Sequence, residues 1–237
     1  MQKPLRIAIV TNNYTPYSGG VVSSILTLTA ELQKAGHEVF IITLDFLGKQ
    51  HDDPAWVIRI PSLMRFKYHK NPMAIPLFPR HKLEEIIKKI QPDVIHTQHP
   101  FLLGKIALKV AKKYGIPIFF TYHSMYEKYA EHYIPLPGWM TKKPVAQRVI
   151  SFCKKVDGII APVPNIKQHL ENYKVARPIQ VIPSGLQPVF FQQSVQLKSR
   201  DKQAPFHLLL VSRFNKEKNI PFLLDVFSIT ILYSESF

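Results

Sequence analysis

The sequence predicts an α/β protein: a doubly wound parallel sheet followed by the first strand and helix of a second such unit. Three observations predict it. Short apolar runs alternate with helix-period stretches along most of the chain. The runs are apolar at nearly every position rather than every second one, as strands covered on both faces require. After a polar, glutamine-rich stretch, "LQPVFFQQSVQLKSRDKQAP", the alternation begins again with "FHLLLVSRFNKEKN".

"LRIAIVT" (5–11) reads as the first strand, and "GVVSSILTLTAELQKAG" (20–36) as a helix with Val21, Ile25, Leu28 and Leu32 on one face and Gly36 closing it. "HEVFIITL" and "AWVIRIP" return as strands. Helix "HKLEEIIKKI", strand "DVIHTQ", helix "LGKIALKVAKKYG" and strand "IPIFFTYH" repeat the unit. After an irregular, aromatic-rich piece come helix "VAQRVISFCKK", strand "GIIAPV", helix "NIKQHLENY" and strand "PIQVIPSG". The expected division is one domain over 1–185, a linker over 186–205 and the start of a second domain over 206–237. The tail opens a strand, a turn and a helix and then stops, which leads to the expectation of a truncated second domain.

The 237 residues are 46% hydrophobic, enough for a substantial core and against disorder. The single cysteine, Cys153, excludes an internal disulfide, and the apolar helical setting "VISFCKK" makes it a buried thiol. The N-terminus lacks a secretory h-region and cleavage site, and no run reaches the ~18 apolar residues of a spanning helix. The expected location is the cytoplasm, or the cytoplasmic face of the membrane. Net charge is +15, and twelve basic against three acidic residues fall between Arg59 and Lys113, so a polyanion, anionic lipid or phosphorylated ligand is expected as partner.

Ligands of such sheets lie at the carboxyl ends of the strands. Gly19 and Gly20 stand between the first strand and its helix, where backbone can approach a phosphate at a helix N-terminus; an ordinary tight turn is the competing reading. The dinucleotide fingerprint and the P-loop are both absent, which counts against a dehydrogenase or nucleotide hydrolase. His96 and His99 have neither a helical face to align them nor a nearby carboxylate, so no metal is expected. His123 closes an apolar strand beside Tyr122, Ser124 and Tyr126, a setting for hydrogen bonding to a polar substrate or for a buried structural network. "SMYEKYAEHYIPLPGWM" suits an acceptor pocket or a membrane-facing flap, or core beneath a loop. Arg213 ends the late strand and Lys218 precedes the late helix, a pair of cations able to hold a diphosphate.

In order, these pieces resemble the N-terminal half of a retaining glycosyltransferase of family four, a GT-B enzyme of two Rossmann-like domains. "TNNYTPYSGGVVSSILTLTAELQKAGHEVFIIT" resembles the family's opening and "PDVIHTQHP" its D-V-x-H strand. "TYHSMYEKY" resembles its histidine strand, "VDGIIAPVPNIKQHL" its A-P-S segment with Val163 for serine, "VIPSGLQ" its P-N-G-V-D turn and "VSRFNKEKN" its G-R-L-x-x-E-K loop. "TYHSMYEKYAEHYIP" is further similar to diacylglycerol glucosyltransferases. The resemblance implies a nucleotide-sugar donor, a lipid hydroxyl as acceptor and no metal or cofactor. It implies Gly19 and Gly20 against the donor diphosphate, His123 at the transferred sugar, Arg213 and Lys218 on the leaving nucleoside diphosphate, and Tyr122 and Tyr126 toward the acceptor. The basic stretch would face anionic lipid. The family's E-x7-E pair has no counterpart, since "SITILYSESF" departs from the pattern, so little activity is expected of this chain alone. The alternative is a non-catalytic basic domain on membranes or polyanions; no RNP, zinc-finger or helix-turn-helix signature supports nucleic acid.

Overall fold

A computed structural model describes residues 3–46, 52–68, 71–126, 138–187, 189–192, 208–212, 214 and 218–234. The chain divides into two compact units, Met1–Gln193 and Ser194–Phe237.

The first unit is built on seven strands: β1 (Arg6–Val10), β2 (Glu38–Leu44), β3 (Val57–Ile60), β6 (Val94–Thr97), β7 (Ile118–Thr121), β8 (Gly158–Ala161) and β9 (Ile179–Val181). All pair in parallel, in the order β3-β2-β1-β6-β7-β8-β9. Strand alternation explains why the apolar runs are unbroken. Ile7 and Ile9 of β1 and Val39 and Ile41 of β2 face one core, against Val22 and Ile25 of α1 (Gly20–Lys34). Ala8 and Val10, with Ile42 and Leu44, face the other, which is filled from α2 (Pro79–Ile90), α3 (Leu103–Tyr114), α4 (Gly138–Cys153) and α5 (Pro164–Asn172). The stripe on α1 is turned slightly from the expected one: Val22, Ile25 and Thr29 are buried, while Val21, Leu28 and Leu32 pack at the margin. Gly36 takes the left-handed conformation, φ 89°, that ends α1.

Cys153 is fully buried, and burial pushes its thiol up to about 12, so it is core and not a nucleophile.

An element unforeseen in the sequence interrupts the alternation. β4 (Ser62–Tyr68) and β5 (Asn71–Pro76) form a separate two-stranded antiparallel sheet directly after β3. A short helix, α6 (Val189–Gln192), ends the described part of this unit.

In the second unit the described residues include α7 (Ile220–Ser234). Of the strand expected from 206, the described residues 208–212 make no ladder, and Leu208, Leu209 and Val211 are exposed.

Candidate active site

Strand order reverses between β1 and β6, since β2 follows β1 on one side and β7 follows β6 on the other. That reversal opens a crevice at the carboxyl ends, where α/β sheets bind ligands. Its floor is made by the residues just past β1 and β6. The Asn12 backbone N–H donates to His99 Nδ1 at 3.2 Å, its amide donates to the Phe101 carbonyl at 3.1 Å, and its side-chain oxygen accepts the Leu103 N–H at 3.1 Å. Because a backbone N–H can only donate, His99 Nδ1 is unprotonated. The Gln98 N–H donates to the Val10 carbonyl at 2.9 Å, continuing the tie. Gly104 lies so close to this turn that a Cβ would stand 1.6 Å from the His99 carbonyl oxygen, so only glycine can occupy it.

His123 lies two residues beyond β7 on the same edge. Its Nε2 donates to the Gln98 amide oxygen at 2.7 Å, which leaves Nδ1 of the neutral ring as an acceptor. Gln98 is 1% exposed, and its amide nitrogen has no hydrogen-bond partner among the described residues. His96, one strand along, meets Thr121 Oγ1 at 2.7 Å in the core. Among the described residues there is no cluster of His, Cys, Asp and Glu that could hold a metal.

Burial holds the three rings neutral: His96 at about 4, His99 at about 3 and His123 at about 4. These values lie below the ordinary 6.5 of the unfolded chain, so their contribution to stability is full above about pH 6.5 and is lost as pH falls toward 4. The urea midpoint is therefore expected to drop through that window, each ring contributing a slope of up to about 1.4 kcal/mol per pH unit, and to stay level between about pH 7 and 8.

Gly20 opens α1 beside this crevice, and a Cβ there would meet nothing within 4 Å, so its backbone faces open space. Gly19 is extended, φ 174°, and a Cβ on it would run into the Tyr17 ring at 2.9 Å; the reason for glycine is crowding by Tyr17, not a strained turn. The first turn of α1 has no acidic residue and no side-chain cap, leaving its N–H groups directed outward. The "PSG" turn after β9 rests on α1, with Ser184 and Ser24 hydroxyls 3.1 Å apart.

Two expectations change. Tyr122 does not reach the crevice: it is 1% exposed, edge-on to Phe120 at 5.9 Å and to Tyr126 at 5.5 Å, because the chain is still laddered there through its N–H to the Ile160 carbonyl. Tyr126 remains partly exposed, its ring against Phe101. Arg59, expected on a basic surface, is buried: Asp53 grips it through two oxygens at 2.6 and 3.0 Å, and it donates to the Leu44 carbonyl at 3.1 Å and the Thr15 carbonyl at 2.9 Å. Others of the basic stretch are also paired, Arg65 with Asp45, Arg80 and Lys113 with Glu84, and Lys82 with Glu85. Lys105, Lys109 and Lys112 of α3 instead line a groove of about 660 Å³ with Arg148 and Lys155, over an apolar floor including Leu108 and Phe152. Lys218 is exposed just ahead of α7, and Arg213 and His132 lie outside the described residues.

Comparison with known proteins decides the family. The model of Glycosyltransferase Family 4 matches residues 18–189. The chain belongs to Glycosyltransferase Family 4. It is 35% identical over 233 residues to the alpha-monoglucosyldiacylglycerol synthase of Streptococcus pneumoniae, covering 94% of this chain and 52% of that protein. With the synthase of the same name from Acholeplasma laidlawii it shares 30% identity over 239 residues, covering 94% and 59%. The chain thus spans a little over half the length of these curated relatives. Among solved structures, the catalytic domain of Arabidopsis starch synthase IV, bound to ADP and acarbose, aligns with a TM-score of 0.51 at 14% identity, over 79% of this chain and 53% of that one. A Rickettsia africae glycosyltransferase aligns at 0.50 and 24% identity, over 81% and 46%. These likenesses place this family-four chain on the α/β fold of GT-B enzymes.

Sequence reasoning missed Gln98 altogether. A glutamine at a strand end carries no pattern, and the one available signal was its place between two histidines in "HTQHP".

Proposed function

We propose that this chain is the acceptor-side part of a retaining glycosyltransferase that moves a hexose from a nucleotide sugar to the free hydroxyl of diacylglycerol. The observation that carries it is the match, along 94% of the chain, to two proteins named alpha-monoglucosyldiacylglycerol synthase. In this reading each participant has its own residues. The open backbone at Gly20 and the uncapped first turn of α1 receive the donor diphosphate, with Gly19 shaping the approach. His123, neutral and held by Gln98, turns its remaining nitrogen to a hydroxyl of the transferred sugar. Tyr126 borders the acceptor side.

As the glycosidic bond breaks, negative charge grows on the departing diphosphate. Arg213 and Lys218 neutralise it, an interaction stronger in the transition state than in the ground state, so that no metal is called upon. Diacylglycerol resides in a bilayer, so in this reading the acceptor is met at the membrane surface. The cationic groove between α3 and α4 would draw anionic headgroups to this unit.

The test joins residues 1–205 to the donor-binding half of the Streptococcus pneumoniae relative. The chimera is given radiolabelled UDP-glucose or GDP-mannose with diacylglycerol in mixed micelles. Labelled hexosyl-diacylglycerol with an α linkage is expected; no lipid product, while the intact relative makes it in the same assay, defeats the reading.

A further inference from the structure

The hairpin β4–β5 is inverted relative to an ordinary surface sheet. Its register sets Met64 opposite Ile75 and Phe66 opposite Met73, so these four side chains share one face. They are exposed by 55%, 46%, 44% and 40% respectively. The alternate face holds Arg65, opposite Ala74 and paired with Asp45, and Ala74 is buried in the main core. The hairpin therefore rests on the protein by its small and polar face and turns its large apolar face outward. Leu63, Leu77 and Phe78 extend the exposed apolar surface at its base. No acidic residue occurs between Asp53 and Glu84 in the sequence, while Arg65, Lys67, Lys70, Arg80 and Lys82 do, so the stretch that contains the hairpin is net positive.

We infer that this hairpin is a membrane-docking element that seats Met64, Phe66, Met73 and Ile75 in the interfacial layer of an anionic bilayer, whose charge its basic sequence stretch complements. The inference rests on the proposed lipid acceptor and deepens it by naming the surface that meets the lipid. An exposed apolar face within a sequence stretch that has no acidic residue and several lysines and arginines matches a bilayer with anionic headgroups in both respects. A second copy matches less well, since face-to-face pairing would bring two net-positive stretches together.

Position supports the same occupant. β4 begins where β3 ends, and in a parallel sheet every strand ends on one edge, so the hairpin rises from the edge that carries His123. β3 and β7 are four strand spacings apart, about 20 Å. A hairpin seated in lipid would hold the crevice near the surface from which a lipid hydroxyl must come.

The test uses the 237-residue chain with vesicles of phosphatidylcholine containing about one quarter phosphatidylglycerol, a fraction that makes the surface strongly anionic. Sedimentation is expected to show binding, which the pair F66E and I75E weakens at least about tenfold with an unchanged circular dichroism spectrum. In a chain carrying F66W, brominated lipid is expected to quench the added tryptophan fluorescence. The groove variant with K109E and R148E serves as the comparison. The inference is overturned if F66E and I75E leave binding unchanged while the groove variant abolishes it, if the F66W fluorescence ignores brominated lipid, or if the unaltered chain stays in the supernatant. It is also overturned if that chain is a dimer that F66E and I75E split. Transfer to micellar diacylglycerol by the chimera judges the acceptor reading separately, because micelles bypass docking.

Discussion

Replacing His123 with alanine in the transfer chimera is expected to lower kcat by about 10²–10³, the usual effect of removing one preorganised polar contact at a reacting centre. The ring is fixed in three respects: its place past β7, its hydrogen bond to Gln98, and its neutral state, held at about 4 by burial. Gln98→Leu separates orientation from presence. It keeps the imidazole and removes the acceptor that defines which nitrogen carries the proton, so a smaller loss of roughly tenfold is expected, in keeping with one lost hydrogen bond. A merely structural glutamine would leave the tautomer alone. Nitrogen-15 NMR of His123 distinguishes the two, with the Nε2–H form expected in the parent and a mixture in Gln98→Leu. Equal activity of parent and His123→Ala would remove His123 from the site.

The second large effect concerns the scaffold. Arg59→Met is expected to destabilise the first unit by about 3–5 kcal/mol in urea melts, because it removes the guanidinium that Asp53 grips through both oxygens in a mostly buried setting and leaves the Leu44 and Thr15 carbonyls without that donor. Asp53→Asn alone should also be costly, since it leaves a buried guanidinium. The double variant is expected to lose less than the sum of the two, the signature of a coupled pair. This clamp joins β3 to the loop that runs from β1 to Gly19 and Gly20, so weakening it should also loosen the proposed diphosphate site.

The α/β alternation could be read from the sequence because both faces of the sheet are covered, which leaves the strands apolar at consecutive positions. β1, β2, β6, β7 and β8 all carry that mark. The hairpin could not be read in the same way. "SLMRFKY" puts its large apolar side chains outward, and "NPMAIP" holds two prolines that argue against a strand. Position at a strand end told where His123 would lie, but not that Tyr122, one residue earlier, would turn inward against Phe120. Arg59 looked like surface because charge composition carries no information about a partner six residues back across an irregular turn.

Asn12 has a wider consequence. By bonding at once to His99, Phe101 and Leu103, it freezes the loops after β1 and β6 before any substrate arrives. A pocket already ordered in this way spends little of its binding energy on conformational entropy, so in the proposed transfer more of that energy is left for distorting the sugar toward its reactive shape.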